Sequence, residues 1–248
     1  MSIAPLFMRT LVIIPTYNER ENILPMIEVL YAIMPSVDIL IVDDASPDGT
    51  GQLVDAMQEQ YPGRLFVLHR ERKMGLGSAY LDGFRYGRAR GYDLLCEMDA
   101  DGSHDPGALP ILCKAAVEGA DVVIGSRRVP GGMIIGWGVG RHVMSFCAMW
   151  ISRLMLGLTT KDVPSGFRVY RAAVVDVLLQ EKWFSDGYAF QEEAIAVCER
   201  KGFRIVEMPV VFRERQRGTS KLSWREVMQF CKMIWFLRKD TTARKARE

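Results

Sequence analysis

Residues 10–50 read TLVIIPTYNERENILPMIEVLYAIMPSVDILIVDDASPDGT, and this stretch contains the pattern that decides the fold. Near-continuous apolar runs at 10–15 and 38–42 predict two buried strands, and the amphipathic stretch 22–34 predicts a helix between them. Because a strand, a helix and a strand in this order form a parallel pair, the stretch predicts an α/β fold with a mainly parallel sheet.

The same alternation of strands and helices continues through the first half of the chain. Further strands are predicted at 65–68, 92–98 and 121–125, and further helices at 51–60, 78–90 and 106–117. Strands that are apolar along their whole length are covered by helices on both faces of the sheet. In such sheets ligands bind outside the carboxyl ends of the strands, which is where the polar motifs of this chain fall.

The second half of the chain changes character after the Pro-Gly-Gly sequence at 130–132. It contains two more predicted strands, at 166–171 and 203–212, with two helical segments between them. No repeat or low-complexity linker separates the halves. We therefore expect one catalytic domain over 1–222, followed by an amphipathic helix and a polar tail over 223–248.

An apolar segment at 137–158 is rich in Met and Trp but contains three basic residues. Its uncharged run at 143–152 would extend only about 15 Å as a helix, roughly half the hydrocarbon core of a bilayer. We therefore expect an interfacial insert over about 133–158, formed by a helix or helix pair, with an ordinary core helix as the alternative. The side chains expected to face lipid are Trp137, Phe146, Met149, Trp150, Leu154 and Met155.

The composition argues against some functional classes. The 248 residues include 32 Lys and Arg against 30 Asp and Glu, a formal net charge of +2. This balance gives no basic field of the kind that nucleic-acid-binding domains present. The five cysteines have no metal-ligand spacing and indicate reduced thiols. The N-terminus lacks the pattern of a secretory signal, so we expect the chain on the cytosolic side.

Acidic and aromatic side chains follow the first two predicted strands. Tyr17 and Glu19 come after the first strand, and Asp43, Asp44 and Asp48 come at or after the end of the second. Such side chains could line a base pocket and accept hydrogen bonds from a base and a ribose. Adjacent carboxylates at 43 and 44 repel each other and need donors or a cation, whereas Asp48 is explained equally well as a turn or cap residue.

The fourth predicted strand ends in EMDADGSHDP at 97–106. Asp99 and Asp101 could hold a hard divalent ion that keeps positions open for a diphosphate. An EF-hand loop is excluded, because its sixth and twelfth positions would be His104 and Pro110 instead of Gly and Glu. His104 is interpreted as a hydrogen-bonding residue and not as a metal ligand.

A glycine-rich segment, KMGLGSA at 73–79, follows the third predicted strand and begins a helix. Amides at a helix start can face an anion. Tyr80 stands where a dinucleotide fingerprint has its third glycine. We therefore interpret the glycines as a site of close helix packing, with Lys73 as a contact for a donor phosphate.

Eight motifs in order resemble the GT-A-type inverting glycosyltransferases of family 2, and specifically the dolichol-phosphate mannose synthases, also called polyprenol-monophosphomannose synthases. The motifs are PTYNERENI from Pro15, VDDASPDGT from Val42, GLGSAY from Gly75, MDADGSHDP from Met98, GSR from Gly125, SGFRVYR from Ser165, GYAFQEE from Gly187 and FRERQRGTSKL from Phe212. The resemblance covers nearly the whole chain. It implies a GT-A fold and transfer of mannose from GDP-mannose to dolichyl or polyprenyl phosphate, with Mg²⁺ or Mn²⁺ as the cofactor.

The resemblance also assigns roles to residues on the donor side. Asp101 would be the main metal carboxylate, with Asp99 beside it, and Ser103 stands where these synthases commonly have Gln. The expected donor-binding residues are Pro15, Tyr17, Glu19, Val42, Asp44, Lys73, Asp99, Ala100 and Asp101. The expected metal ligands are Asp99, Asp101 and Ser103.

Basic residues are expected around the acceptor phosphate, because a phosphate dianion approaching a diphosphate needs cations to offset the repulsion. The matching residues are Arg127, Arg141, Arg215 and Lys221, each of which could instead be an ordinary surface ion pair. The expected catalytic residues are Asp99, Asp101, Arg127 and Arg215. Gln191 and Glu193 are candidates for a sugar or acceptor pocket, although Glu193 could equally be an exposed carboxylate on a helix.

The expected partners follow from the resemblance and the apolar segments: GDP-mannose, a dolichyl or polyprenyl phosphate, a membrane surface and a membrane-anchoring subunit of the kind some relatives need. Nucleic acid is not expected. We expect a peripheral protein on the cytosolic face of a membrane, the endoplasmic reticulum in a eukaryote or the plasma membrane in a prokaryote. The alternatives are a polyprenyl-phosphate glucose synthase that uses UDP-glucose and a non-catalytic nucleotide-binding membrane adaptor.

Overall fold

The strand-helix-strand unit predicted at the start of the chain is present in the structure, a computed structural model that describes residues 8–185, 187 and 189–214. Strand β1 (Thr10–Thr16), helix α1 (Arg20–Ile33) and strand β2 (Asp38–Asp43) form this unit. The two strands are parallel. The sequence-based boundaries are therefore correct to within about two residues.

The predicted alternation is confirmed through the first half of the chain. The elements are α2 (Thr50–Met57), β3 (Leu65–His69), α3 (Leu76–Ala89), β4 (Leu94–Glu97), α4 (Leu109–Val117) and β5 (Val122–Ser126). The second half adds β6 (Met133–Ile135), α5 (Val139–Leu156), β7 (Arg168–Arg171), α6 (Ala172–Leu178), α7 (Ala189–Arg200), β8 (Ile205–Pro209) and β9 (Val211–Arg213).

Within the described residues, seven strands form one sheet in the order β3-β2-β1-β4-β7-β5-β8. β7 runs antiparallel to both of its neighbours, β4 and β5, and the other pairs are parallel. The prediction of a mainly parallel sheet is thus confirmed. The parallel arrangement brings the carboxyl ends of β1, β2, β4 and β5 to the same edge of the sheet.

Helices cover both faces of the sheet, as the uninterrupted apolar strands predict. Tyr80, Phe84 and Phe190 from α3 and α7 pack on one face, and residues from α1, α2 and α4 pack on the other. Gly77 brings α3 close to α7: a methyl group at Gly77 would lie 2.7 Å from the Cβ atom of Phe190. The predicted role of the glycine-rich segment in helix packing is therefore confirmed.

Two predictions for the second half are wrong. The strand predicted at 203–212 is divided at the buried residue Val210, with β8 pairing with β5 and β9 pairing with β6 in a separate two-stranded sheet. A run of apolar residues does not reveal that a chain changes from one sheet to another. The insert expected to be helical from about residue 133 begins instead with strand β6, because Met133–Ile135 have β9 as a partner.

The predicted interfacial insert contains one helix, α5, whose outer face is apolar and exposed. Val139, Val143, Met144, Phe146, Trp150, Ile151 and Leu154 are between 41% and 80% exposed. Met149 was predicted to face lipid, but it is 5% exposed and packs inward because α5 turns that side towards the domain. None of the described helices combines the length and the apolar character needed to cross a membrane. The C-terminal helix predicted within 223–248 lies outside the described residues.

Helix α7 begins with buried polar side chains that anchor α5. Glu192 is 5% exposed, and one of its carboxylate oxygens accepts a hydrogen bond of 2.9 Å from the Ser152 hydroxyl of α5. Burial raises the pKa of Glu192 to about 7, although the Ser152 hydrogen bond and the charge of Arg168 act in the opposite direction. Glu192 thus holds a proton in the folded protein at a pH where it has lost it in the unfolded chain.

We expect Glu192→Gln to change how stability depends on pH. Between the ordinary pKa of a glutamate and about 7, the folded wild-type protein binds more protons than the unfolded chain, so its stability falls as pH rises. A glutamine side chain cannot titrate, so the variant should gain stability relative to wild type between about pH 5 and about pH 8. Urea unfolding at both pH values measures this difference. Replacement of the exposed Glu59 by Gln is the control, and its free energy of unfolding relative to wild type should be the same at both pH values. If the difference between Glu192→Gln and wild type is also the same at both pH values, the prediction is wrong.

Candidate active site

The predicted polar motifs lie together at the carboxyl edge of the sheet. Two non-glycine residues at this edge have positive φ angles, Asn18 (61°) after β1 and Ala45 (53°) after β2. Such backbone conformations are uncommon and concentrate at functional sites. The turns after β1 and β2 are therefore held in unusual shapes where the sequence places its candidate donor-binding residues.

Asp43 and Asp48 are engaged by the protein itself. The Asp43 carboxylate accepts hydrogen bonds from the Thr16 hydroxyl (2.9 Å) and from the Ser46 amide (3.0 Å) and hydroxyl. Asp48 accepts from the backbone amides of Arg20 (3.1 Å) and Thr50 (3.0 Å). Both side chains thus shape turns, which for Asp48 is the simpler of the two roles considered from the sequence.

Asp44 is paired with Arg70, which the sequence analysis did not single out. The Arg70 guanidinium donates to Asp44 Oδ1, and the Met74 amide lies 3.2 Å from Asp44 Oδ2. Arg70 also donates to the Ser78 hydroxyl at 2.6 Å, so it connects the end of β2 to the first turn of α3. Of the donors or cation that the adjacent carboxylates need, Asp43 thus has hydrogen-bond donors and Asp44 has the cation Arg70, which follows β3 directly.

The other expected donor residues have the following contacts and burial. The Lys73 ammonium lies 3.9 Å from the centroid of the Tyr17 ring, a cation–π distance. The Glu19 carboxylate accepts a 2.8 Å hydrogen bond from Asn22 at the start of α1. The side chains of Val42 and Ala100 are buried in the core and Pro15 is partly buried.

Asp99, directly after β4, is held from two sides and still reaches the surface. Its side chain is 30% exposed, and Oδ1 accepts a hydrogen bond of 3.3 Å from the Tyr80 hydroxyl. The Asp99 amide donates to His104 Nδ1 at 3.2 Å. Burial lowers the pKa of His104 to about 4, so the imidazole is neutral at neutral pH and can accept this hydrogen bond. The interpretation of His104 as a hydrogen-bonding residue is thus confirmed.

Asp101 lies in the loop that His104 closes. Its Oδ1 accepts a 3.0 Å hydrogen bond from the Ser103 amide, and the Ser103 carbonyl accepts one of 3.0 Å from the Arg213 amide. The Ser103 hydroxyl is buried and has no hydrogen-bond partner among the residues described. Across the described ranges, no three His, Cys, Asp or Glu side chains are grouped so that they alone could hold a metal. The carboxylate oxygens of Asp99 and Asp101 are nevertheless of the kind that Mg²⁺ and Mn²⁺ prefer, and a bound diphosphate would complete such a ligand set.

Arg127, at the end of β5, is fixed by a carboxylate that the sequence analysis missed. Its Nε and Nη2 atoms lie 2.8 Å and 2.6 Å from the two oxygens of Asp162, which is 0% exposed. Burial alone would raise the pKa of Asp162, but the contacts with Arg127 outweigh burial and lower it. Arg127 is therefore not an ordinary surface ion pair. It also lies over the ring of Phe212, 5.1 Å from the centroid.

Arg128 was also missed, although it stands next to Arg127 in the sequence. Its Nη2 atom donates to the Ser145 hydroxyl of α5 at 3.2 Å, while its Nε atom is buried with no partner in the described part of the chain. Burial lowers the pKa of Arg128, and the charge of Arg127 adds to this effect. Because Asp162 carries one negative charge, the group of Arg127, Arg128 and Asp162 keeps a net positive charge.

The remaining expected residues differ in their surroundings. Arg141 forms an ion pair with Glu214 and lies 4.3 Å from the centroid of the Trp137 ring. Arg215 and Lys221 lie outside the described residues. Glu193 is 1% exposed and accepts hydrogen bonds of 3.1 Å from the amides of residues 184 and 185, so its interpretation as an exposed carboxylate is wrong.

A buried acid and a buried base lie close to Asp99 in the sheet. Glu97 is directly opposite Arg168 across the antiparallel pair β4–β7, and both are 0% exposed. Burial raises the pKa of Glu97 to about 7, while Arg168 and the nearby Gln191 amide act to lower it. Gln191 is itself 1% exposed. The sequence analysis places Gln191 in a candidate sugar or acceptor pocket, but its proximity to Glu97 and Arg168 depends on tertiary contacts that local pattern does not predict.

A contact path joins the two halves of the site. His104, which accepts a hydrogen bond from the Asp99 amide, has its ring centroid 5.9 Å from that of Phe212. Phe212 in turn lies beneath the Arg127 guanidinium. An acidic pair that suits a divalent ion and a basic group with net positive charge are therefore neighbours at one edge of the sheet.

Known proteins resemble this chain in sequence over most of its length. The model of the family described as Glycosyl transferase family 2 matches residues 11–179. The chain is 49% identical over 216 residues to an undecaprenyl-phosphate mannosyltransferase of Micrococcus luteus. The matched region covers 87% of this chain and 88% of that protein. It is 48% identical over 215 residues to a polyprenol monophosphomannose synthase of Mycolicibacterium smegmatis, covering 87% of this chain and 81% of that one.

Solved structures share the fold at lower sequence identity. Glucosyl-3-phosphoglycerate synthase from Mycobacterium tuberculosis, in complex with Mn²⁺, UDP and phosphoglyceric acid, is 18% identical, with a TM-score of 0.69 over 94% of this chain and 79% of that one. The mannosyltransferase PcManGT from Pyrobaculum calidifontis, in complex with GDP-Man and Mn²⁺, is 18% identical, with a TM-score of 0.62 over 92% of this chain and 64% of that one. The fold is therefore that of GT-A glycosyltransferases, and by its sequence the chain belongs to glycosyl transferase family 2.

Proposed function

We propose that this chain transfers mannose from GDP-mannose to a polyprenyl phosphate and forms a β-linked polyprenyl-phosphate mannose with inversion at the anomeric carbon. One observation carries the proposal: the acidic pair Asp99 and Asp101 lies beside a basic group that keeps a net positive charge. The first suits the metal-bound diphosphate of a donor, and the second suits an anionic acceptor. The names of relatives at 48–49% identity support the choice of mannose and of the lipid phosphate.

The donor would lie across the ends of β1, β2 and β4. Tyr17, Glu19 and Asp44 would contact the nucleoside, and Lys73 would contact a phosphate. Asp99 and Asp101 would hold Mg²⁺ or Mn²⁺, which when bound offsets the negative charge of the diphosphate. The Tyr80 hydroxyl and the loop closed by His104 keep the Asp99 carboxylate in place, so that less ordering is required when the donor binds.

The acceptor phosphate would approach from the side of Arg127 and Arg128. One of its oxygens attacks C1 of mannose, the bond from C1 to the diphosphate oxygen breaks, and GDP leaves with the electron pair. Because the attacking oxygen is already anionic, the reaction needs no general base. Arg127, fixed by Asp162, and Arg128, which has no carboxylate partner among the described residues, would offset the repulsion between the two phosphate groups.

Helix α5 would bring this basic side of the site to a membrane surface. Phe146 and Trp150 are each 54% exposed and Leu154 is 66% exposed on its outer face, while Ser145 on its inner side contacts Arg128. A helix with this division of apolar and polar faces lies in the interface between lipid and water. The protein would thus be peripheral on a cytosolic membrane face, where a polyprenyl phosphate presents its headgroup.

The transfer assay tests the function directly. Purified protein incubated with labelled GDP-mannose, Mn²⁺ or Mg²⁺ and polyprenyl phosphate should give organic-extractable label, and a chelator should abolish it. Asp101→Ala should lower the rate at least about a hundredfold, because a metal carboxylate is lost. Asp105→Ala, in the same loop but outside the proposed ligand set, is the matched control. Transfer from UDP-glucose and not from GDP-mannose would contradict the mannose assignment, and unchanged donor turnover in Asp101→Ala would favour a non-catalytic adaptor.

The role of Arg128 can be tested separately from that of the donor site. Arg128→Gln should raise the KM for polyprenyl phosphate about tenfold or more and leave the KM for GDP-mannose unchanged, because a charge-assisted contact to the acceptor is lost. Arg128→Lys should recover part of the loss. Arg85→Gln, on the exposed side of α3, is the control. Equal changes in both KM values would indicate general damage to the fold and count against the proposal.

The proposed membrane contact of α5 predicts binding to lipid vesicles. Phe146→Ser combined with Trp150→Ser should weaken binding to vesicles at least about tenfold, because two aromatic side chains no longer enter the lipid. The matched control is Ile111→Ser combined with Val117→Ser, which removes exposed apolar residues of α4. Co-sedimentation with vesicles measures both. If the two double variants bind equally well, α5 is not the membrane contact.

A further inference from the structure

The segment at 159–162, which follows α5, is held by two carboxylates. Glu199 of α7 accepts hydrogen bonds of 2.9 Å and 2.8 Å from the amides of residues 159 and 160. Glu207 of β8 accepts hydrogen bonds of 2.8 Å and 2.9 Å from the amides of residues 161 and 162. Four successive backbone amides are therefore bound by two acidic side chains that belong to different elements of the fold.

These contacts fix the shape of the segment. Successive N–H groups that converge on one anion form a concave backbone site, and here the anion is supplied by the protein itself. Hydrogen bonds to a charged acceptor are roughly twice as strong as those between neutral groups. Because each carboxylate binds two neighbouring amides, Glu199 holds the half of the segment next to α5, and Glu207 holds the half that contains Asp162.

The sheet brings Glu207 close to the strand that leads to the basic group. β8 is parallel to β5, and Glu207 lies opposite Ile124 in this pair. β5 ends at Ser126, and Arg127 is the next residue. Glu207 itself is partly exposed. The sequence analysis did not single it out, because its contact with the segment after α5 joins two distant parts of the chain.

Asp162 passes the position of its backbone on to Arg127. Its Oδ2 atom accepts hydrogen bonds from the Arg127 amide (2.7 Å) and from Nε (2.8 Å), and its Oδ1 atom accepts one from Nη2 (2.6 Å). Asp162 is 0% exposed, so its side chain is closely packed and moves with its backbone. A shift of the Asp162 backbone would therefore turn the Arg127 guanidinium.

We propose that Glu207 is a positioning residue for the acceptor phosphate: its carboxylate holds the backbone of Asp162, and Asp162 orients Arg127. This inference rests on the proposed function, in which Arg127 faces the phosphate, and extends it to a residue that would not touch the substrate. A guanidinium presents planar donors in a fixed geometry, so a small rotation weakens its contact with a phosphate.

Glu207→Gln tests the proposal, because glutamine has nearly the shape of glutamate but can accept hydrogen bonds only at its single oxygen. With the donor and the lipid acceptor that wild type turns over, the variant should raise the KM for the acceptor at least about fivefold, because Arg127 is displaced. The KM for the donor should change by less than about twofold. Glu207→Asp, which keeps the charge on a shorter side chain, should have a smaller effect of the same kind.

The direction of the change separates orientation from charge. Glu207→Gln removes a negative charge from the surroundings of Arg127 and Arg128, and a more positive potential alone would attract the phosphate and lower its KM. Glu199→Gln is the matched control, because it removes the same charge but releases only the amides of residues 159 and 160. This control should not raise the KM for the acceptor.

A double-mutant cycle tests whether Glu207 acts through Arg127. Arg127→Gln alone should raise the KM for the acceptor. Adding Glu207→Gln to this variant should change that KM by less than about a further twofold, because the group that Glu207 positions is already absent. Two independent effects would instead multiply.

The outcomes separate this inference from the proposed function. If Arg127→Gln raises the KM for the acceptor and Glu207→Gln does not, the proposed function stands and the inference is overturned. The inference is also overturned if Glu199→Gln has the same effect as Glu207→Gln, or if the effects multiply in the double variant. If Arg127→Gln leaves this KM unchanged, the assignment of the acceptor site fails together with the inference. Should Glu207→Gln not fold, the same comparisons with Glu207→Asp decide.

Discussion

Carboxylates gathered at one edge of a sheet repel each other, and the rest of this structure depends on how each of them is compensated. Asp43 is compensated by hydroxyl and amide donors, Asp44 by Arg70, and Asp162 by Arg127. Asp99 is treated differently, because it receives a tyrosine hydroxyl and remains partly exposed. The edge thus combines acids whose protein partners fix the turns with Asp99, whose carboxylate stays partly exposed.

The basic residues follow the same principle with the opposite sign. Arg70 and Arg127 each form a close ion pair with a carboxylate, and these pairs position the loops that hold them. Arg128 is only partly engaged, by a serine hydroxyl of α5. A charged group that is buried without a partner is costly, and the Arg128 Nε atom is buried with no partner among the described residues. The roles proposed for the acids and bases of this site therefore rest on the surroundings of each side chain, more than on its residue type.

Much of the fold and part of the site could be predicted from the sequence. Apolar runs and their periodicity locate the strands and helices, and the parallel arrangement places Asp44 and Asp99 at one edge. The partners of the site residues could not be predicted, because Arg70 reaches Asp44, and Asp162 reaches Arg127, through tertiary contacts between distant segments. The inward orientation of Met149 depends on the docking of α5, and the division of the last strand at Val210 depends on two different sheets. The local pattern of apolar residues predicts neither the orientation of Met149 nor the division of the strand at Val210.

The small sheet of β6 and β9 has a mechanical consequence. β9 is hydrogen-bonded to the loop of Asp101 through the Arg213 amide and the Ser103 carbonyl, and β6 leads within a few residues into α5. The Asp101 loop and α5 are thus each connected to one strand of the sheet of β6 and β9. Neither can shift far without moving this sheet or breaking its hydrogen bonds. If a ligand bound at the Asp101 loop displaces the sheet of β6 and β9, the position of α5 changes as well. Thermodynamic linkage then requires that a ligand bound at α5 changes the affinity of the Asp101 loop for its ligand by the same coupling free energy. An enzyme built in this way would sense at α5, its proposed membrane contact, whether a nucleotide is bound.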